Sequence, residues 1–168
     1  LAMAMSYWGC TETQVDVAPV LKPDPEHKNV SPEEMVAYVR PLDMEGVIRF
    51  GGDIELLKRL VASNYPVIVE TWVVRDARDQ LGHYLLIMGY DDTAQHFLTY
   101  DSLHGPDIPI GYQELDELWR VFNRLYLVIV TPESMPDLLR VLGPAASEQW
   151  ATAHALDVAR MEAARPPE

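Results

Sequence analysis

The sequence predicts an α+β domain over residues 1–131, followed by a helical appendage over residues 132–168. Three observations carry that expectation. Two apolar stretches, PVIVETWVV at 66–74 and YLLIMGY at 84–90, read as buried strands. Two segments place helix-start chemistry just ahead of apolar residues at helical spacing. Beyond residue 132 the strand signals stop and two helical patterns follow.

The elements can be justified in chain order. LAMAMSYWG at 1–9 joins good helix formers to a glycine suited to the position past the last turn. No N-cap or acidic first turn precedes Leu1, so this helix is expected either to begin upstream of Leu1 or to fray at its start. Residues 10–29 are polar and contain Pro19, Pro23 and Pro25, which predicts a loop or extended arm. Ser31-Pro32-Glu33-Glu34 supplies a cap, a proline at the first helical position and an acid at the third, and predicts a helix to about Arg40. Residues 46–50 predict a short strand, after which Gly51-Gly52 breaks the chain. Asp53 then caps a helix over 54–63, with Ile54, Leu57 and Val61 on one face.

The strand at 66–74 leads into a charged loop at 75–80. A hairpin follows, with 84–90 and 97–100 as strands and the polar run 91–95 as the turn. Gly105, Pro106, Pro109 and Gly111 predict another loop, 112–120 a helix and 125–130 a buried strand. In the appendage, 135–142 and 145–164 read as helices. The alanines at 151, 153, 155, 159 and 163 resemble the start of a helical-repeat unit, a surface on which a protein partner can dock.

A chain of 168 residues, 48% hydrophobic, is long enough to bury a substantial core. Its net charge of −13 is spread along the sequence, which repels phosphates and argues against nucleic acid as partner. A cationic or neutral peptide is better received. One cysteine, Cys10, leaves no internal disulfide and no multi-thiolate metal site. No apolar run approaches the roughly 18–20 residues needed to cross a bilayer.

The hairpin carries the candidate chemistry. His83 stands at the start of its first strand and Asp101 at the end of its second, and in an antiparallel pair those two ends lie side by side. The pair fits a base with the carboxylate that orients it, and equally a structural hydrogen bond at a sheet rim. Cys10 follows the C-terminal end of a helix, where the negative end of the dipole raises a thiol's pKa and dulls it. His83, His96, His104 and Asp101 fall close together, but neither histidine spacing matches a helical zinc motif, and His96 is expected on the face opposite Asp101. No Gly-x-Ser-x-Gly turn and no phosphate-binding glycine loop is present.

LAMAMSYWG, GHYLLIMGYDD and YDSLHG, in that order, resemble the C39-like relatives of the bacteriocin-processing, double-glycine-leader cysteine peptidases, of the papain-like clan. The resemblance spans residues 1–131. It implies a papain-like cysteine peptidase fold, with an antiparallel sheet packed on a central helix, acting on peptide or protein substrates without metal or cofactor. His83 and Asp101 match the family's catalytic histidine and aspartate. The family's nucleophile lies in a Cys-Gly-Pro run at the start of the first helix, immediately before the segment matched by residues 1–9, and its oxyanion-binding glutamine lies further upstream. Both are therefore expected ahead of Leu1. Ser102 departs from the proline that many relatives carry after the aspartate. Trp8, Trp72 and Gly82 are the candidate substrate-binding residues. Tyr7 and Trp8 are expected to pack the helix on the sheet, and the loop at 75–80 to flank the substrate groove. The same architecture without turnover would be a peptide-binding module, and the same triad can also pass an acyl group to acceptors other than water.

Overall fold

The computed structural model describes residues 1–24, 29–76 and 79–164. Among these residues, six strands form one antiparallel sheet in the order β1-β6-β2-β3-β4-β5. They are β1 (Glu45–Arg49), β2 (Val67–Asp76), β3 (Asp79–Asp91), β4 (His96–Asp101), β5 (Gly105–Gly111) and β6 (Tyr126–Val130). The helices are α1 (Ala2–Tyr7), α2 (Gln14–Leu21), α3 (Pro32–Val39), α4 (Ile54–Ala62), α5 (Tyr112–Trp119), α6 (Met135–Leu142) and α7 (Glu148–Ala163).

Strand alternation splits the core between the two faces of the sheet. Val67, Val69, Leu85, Ile87 and Phe97 face one way, against Leu57 and Leu60 of α4, Leu115 and Trp119 of α5, and Leu138 and Leu142 of α6. Ile68, Leu86, Leu127 and Ile129 face the other way, against Ala4 and Met5 of α1 and Met35, Val36 and Val39 of α3. β6 is buried along its whole length, as befits an interior strand covered on both sides.

The capped helices form where their caps predict. Ser31 accepts from the Glu34 N–H at 3.2 Å while the Glu34 carboxylate accepts from the Ser31 N–H at 2.7 Å. Asp53 accepts from the Leu56 N–H at 2.6 Å.

Three predicted loops are ordered differently. Within 10–29, residues 14–21 fold as α2 despite Pro19, because Asp16 reaches back to the Thr13 N–H at 2.8 Å and closes a capping box; residues 25–28 lie outside the described residues. The loop expected at 75–80 is largely strand, with Val74 opposite Gln80 and Asp76 opposite Asp79, since backbone pairing needs no apolar alternation. Residues 77 and 78 lie outside the described residues. The loop expected around Gly105 to Gly111 is the edge strand β5, where prolines are tolerated because one side of the strand has no partner.

The segment after residue 131 packs into the same core. Leu138 and Leu142 are buried beneath the sheet, and Arg49 of β1 donates to the Ala145 and Ala146 carbonyls at 3.0 and 2.6 Å. Arg124, just ahead of β6, grips Asp116 of α5 through two hydrogen bonds of 2.6 and 2.9 Å and Glu162 of α7 through one of 2.6 Å. Gly51, at φ +70°, lets α7 approach so closely that a Cβ there would lie 2.9 Å from the Ala155 Cα.

Candidate active site

His83 and Asp101 are brought together by register. Leu85 lies opposite Asp101 across β3 and β4, so His83, two residues back on the same face, sits diagonally beside the carboxylate. The His83 Nε2 and the Asp101 Oδ1 are 2.8 Å apart. Thr71, opposite His83 on β2, donates its hydroxyl to the His83 carbonyl at 3.0 Å and pins the backbone.

Asp101 has two further donors. The Leu103 N–H reaches Oδ1 at 2.7 Å, and His104 Nδ1 reaches Oδ2 at 2.7 Å. The carboxylate is 6% exposed, the His83 side chain 12% and the His104 side chain 68%. Burial pulls the Asp101 pKa upward, but the hydrogen bonds from His104, the Leu103 N–H and His83 outweigh it and bring it down to about 2. An ionised carboxylate can only accept, so the ring nitrogens facing it must both carry hydrogen. In neutral His83 the basic lone pair is therefore on Nδ1, which is the arrangement a general base needs.

The pair opens into a pocket of about 470 Å³ on the α5 side of the sheet. Its walls are mostly apolar, with Val73, Leu85, Ile108, Ile110 and Leu118, and Glu114 of α5 adds a carboxylate. Such a cavity can take up an apolar group beside the imidazole.

The other candidates lie elsewhere. Trp72 and Gly82 oppose each other across β2 and β3, and by alternation occupy the face away from His83; the Trp72 ring centroid is 6.0 Å from that of Phe122. A Cβ on Gly82 would collide with the Glu70 Oε1, so the glycine makes room for Glu70. Burial raises the Glu70 pKa, opposed by its hydrogen bond with the Tyr84 hydroxyl. Trp8 donates its indole N–H to the Ile129 carbonyl at 2.7 Å and leans on Tyr65, holding α1 to the sheet. Tyr7, stacked edge-on against Trp8, is exposed. The structure thus joins His83 to Asp101 but brings none of Trp8, Trp72 and Gly82 to that pocket.

Cys10 packs with its sulfur 3.4 Å from the Met44 sulfur, and burial followed by the Glu12 carboxylate pushes its thiol up, away from thiolate. Among the described residues no group of three histidines, cysteines or carboxylates is placed to hold a metal ion. Sequence reasoning weighed His104 only as a metal ligand and missed its contact with Asp101; the available signal was its position three residues on, across a glycine-ended turn.

A family model described as the Peptidase_C39-like family matches residues 1–126. Comparison with curated proteins finds no match. Among solved structures, the chain is similar to a C39-like peptidase from Bacillus anthracis, at 16% identity and TM-score 0.57, over 77% of this chain and 85% of that one. It is similar to the peptidase domain of Streptococcus ComA, a bifunctional ABC transporter of a quorum-sensing pathway, at 15% identity and TM-score 0.60, over 77% and 86%. It is also similar to the N-terminal C39-like peptidase domain of a toxin-secretion ATP-binding protein from Vibrio parahaemolyticus, at 13% identity and TM-score 0.54, over 77% and 92%. These likenesses show the papain-like fold, and with a family match spanning residues 1–126 of 168, the chain belongs to the Peptidase_C39-like family.

Proposed function

We propose that this chain carries the base and the orienting carboxylate of a cysteine peptidase that cleaves peptide bonds, its substrates peptides or proteins and its preferred cleavage site after small residues such as glycine. The observation that supports this most directly is the 2.8 Å contact between His83 Nε2 and Asp101 Oδ1 beside an open, largely apolar pocket. A cysteine ahead of Leu1, at the position the family resemblance gives it, supplies the thiol. His83 Nδ1 takes the thiol proton, the thiolate attacks the peptide carbonyl, and the proton passes to the departing amine. Water then attacks the thioester, releases the acid and restores the thiol. Asp101 fixes the ring and stabilises its charged form throughout.

The test is His83→Ala in a protein that includes the segment ahead of Leu1. Peptide cleavage falls by about 10²-fold or more while the circular dichroism spectrum stays unchanged; undiminished turnover refutes the assignment. Alkylation with a small iodoacetamide probe adds an independent check: a cysteine ahead of Leu1 reacts fast, and His83→Ala slows it.

One observation favours a second reading. α1 buries Ala4 and Met5 against the face of the sheet opposite the one that bears His83. If the extension of α1 does not bring a thiol to the imidazole, the fold is a peptide-binding module, and the alkylation experiment then finds no fast-reacting cysteine. Trp150 and Met161, exposed on one face of α7, are the surface through which a protein partner would dock in either reading.

A further inference from the structure

We propose that His104 is a positioning residue for His83: it shares Asp101 with the base and, on taking up a proton at its exposed ring edge, weakens the carboxylate's hold on His83. The inference rests on reading His83 and Asp101 as base and orienting pair, and it concerns a residue that the triad does not include.

The geometry is that of a two-histidine clamp. Asp101 spends Oδ1 on His83 and the Leu103 N–H, at 2.8 and 2.7 Å, and Oδ2 on His104, at 2.7 Å. With its Nδ1–H committed to the carboxylate, His104 keeps Nε2 as its site of proton uptake, on a side chain 68% exposed to solvent. Proton transfer to Nε2 needs only solvent as donor and leaves every hydrogen bond of the clamp in place. It changes the charge count instead. Neutral His104 leaves one anion for one base. Charged His104 forms an ion pair with that same anion, so a second positive charge on His83 meets a carboxylate already compensated and an imidazolium nearby.

Among the described residues, the pocket lining holds few other groups that could blur the coupling. β2 presents Thr71 and Val73 to the pocket, β5 presents Ile108, Pro109 and Ile110, and β4 adds Thr99. α5 contributes Leu118 and one charged group, Glu114, whose carboxylate favours the charged form of either ring. His83, Asp101, His104 and Glu114 are thus the charged or titratable side chains lining the pocket among the described residues. Activity at such a site falls on the acid side in two linked steps rather than one.

The test is a histidine NMR titration of the 168-residue chain as wild type, His104→Asn and His104→Leu. Asparagine can keep a neutral N–H donor toward Asp101 but cannot charge; leucine removes both donor and charge, and amide dispersion verifies that each variant is folded. The expected result is a broadened His83 curve in the wild type, coupled to that of His104, with its midpoint displaced to lower pH than in either variant. An identical His83 midpoint in all three proteins overturns the proposal and leaves His104 as a turn-capping residue. A wild-type midpoint in His104→Asn alone also overturns it, by showing that the hydrogen bond and not the charge matters. No turnover enters this measurement, so failure of the peptidase assay refutes the proposed function alone, whereas unchanged midpoints refute this inference alone.

Discussion

Replacing Asp101 with asparagine tests the electrostatics of the site through stability. In the folded chain the Asp101 carboxyl titrates at about 2, against an ordinary value of 3.8. Its ionised form is thus favoured in the fold, and the resulting stability is present in full above pH 4. As pH falls from 4 toward 2, the unfolded chain takes up a proton on this residue that the folded chain refuses, and the contribution is lost. A depression of nearly two pH units corresponds to about 2 kcal/mol. Urea unfolding of wild type and Asp101→Asn at matched pH values from 5 to 2 reads this quantity, because the other carboxylates are common to both proteins and the range lies below the ordinary histidine value. The stability difference between the two should shrink by about 2 kcal/mol between pH 5 and pH 2. A difference independent of pH would show that the three hydrogen bonds do not favour the charged carboxylate, and the tautomer argument for His83 would go with it.

Leu138→Ala, at a fully buried position of α6, should cost about 2–5 kcal/mol in urea unfolding, as a core truncation does; a cost below 1 kcal/mol would mean that the segment after residue 131 is peripheral. Arg124→Met leaves Asp116 and Glu162 without their shared cation and should cost about 1–3 kcal/mol, less in high salt; no loss in either salt would remove Arg124 as the tie between α5 and α7. Gly52→Ala places a Cβ 2.5 Å from the buried Trp119 ring and should cost about 1–3 kcal/mol by the same measurement; a neutral result would show that the ring can shift.

Much of this structure is legible in the residues because local chemistry and tertiary packing agree there. The Ser31 and Asp53 caps mark helix starts that the fold keeps, and the turn at 91–95 brings the ends holding His83 and Asp101 together; the bulge between Ile87 and Gly89, which has no such signal, is what sets them on one face of the sheet. Legibility fails where a residue's usual penalty is relieved by context. Prolines at 106 and 109 argue against a strand, yet at a sheet edge a missing N–H costs little. Pro19 and its polar neighbours hide α2, although the Thr13–Asp16 capping box was there to be read. The contact of His104 with Asp101 has no periodic signature at all, because it depends on the shape of one turn. Placement of the tryptophans was equally beyond pattern: Trp8 follows a carbonyl of β6, which no local rule reveals.

The two outer strands of the sheet have a consequence for behaviour in concentrated solution. A free strand edge invites pairing with another chain, and such pairing is how soluble sheets become fibrous aggregates. β5, at one border, has two prolines among its seven residues and a charged Asp107 in a left-handed conformation, so it cannot present an unbroken row of donors to a neighbour. β1, at the other border, is only five residues long and lies beside α7, with Arg49 tied to the chain that leads into that helix. Deleting the C-terminal helix would therefore do more than trim the fold. It would uncover the border at β1 and leave that edge open to association with another chain.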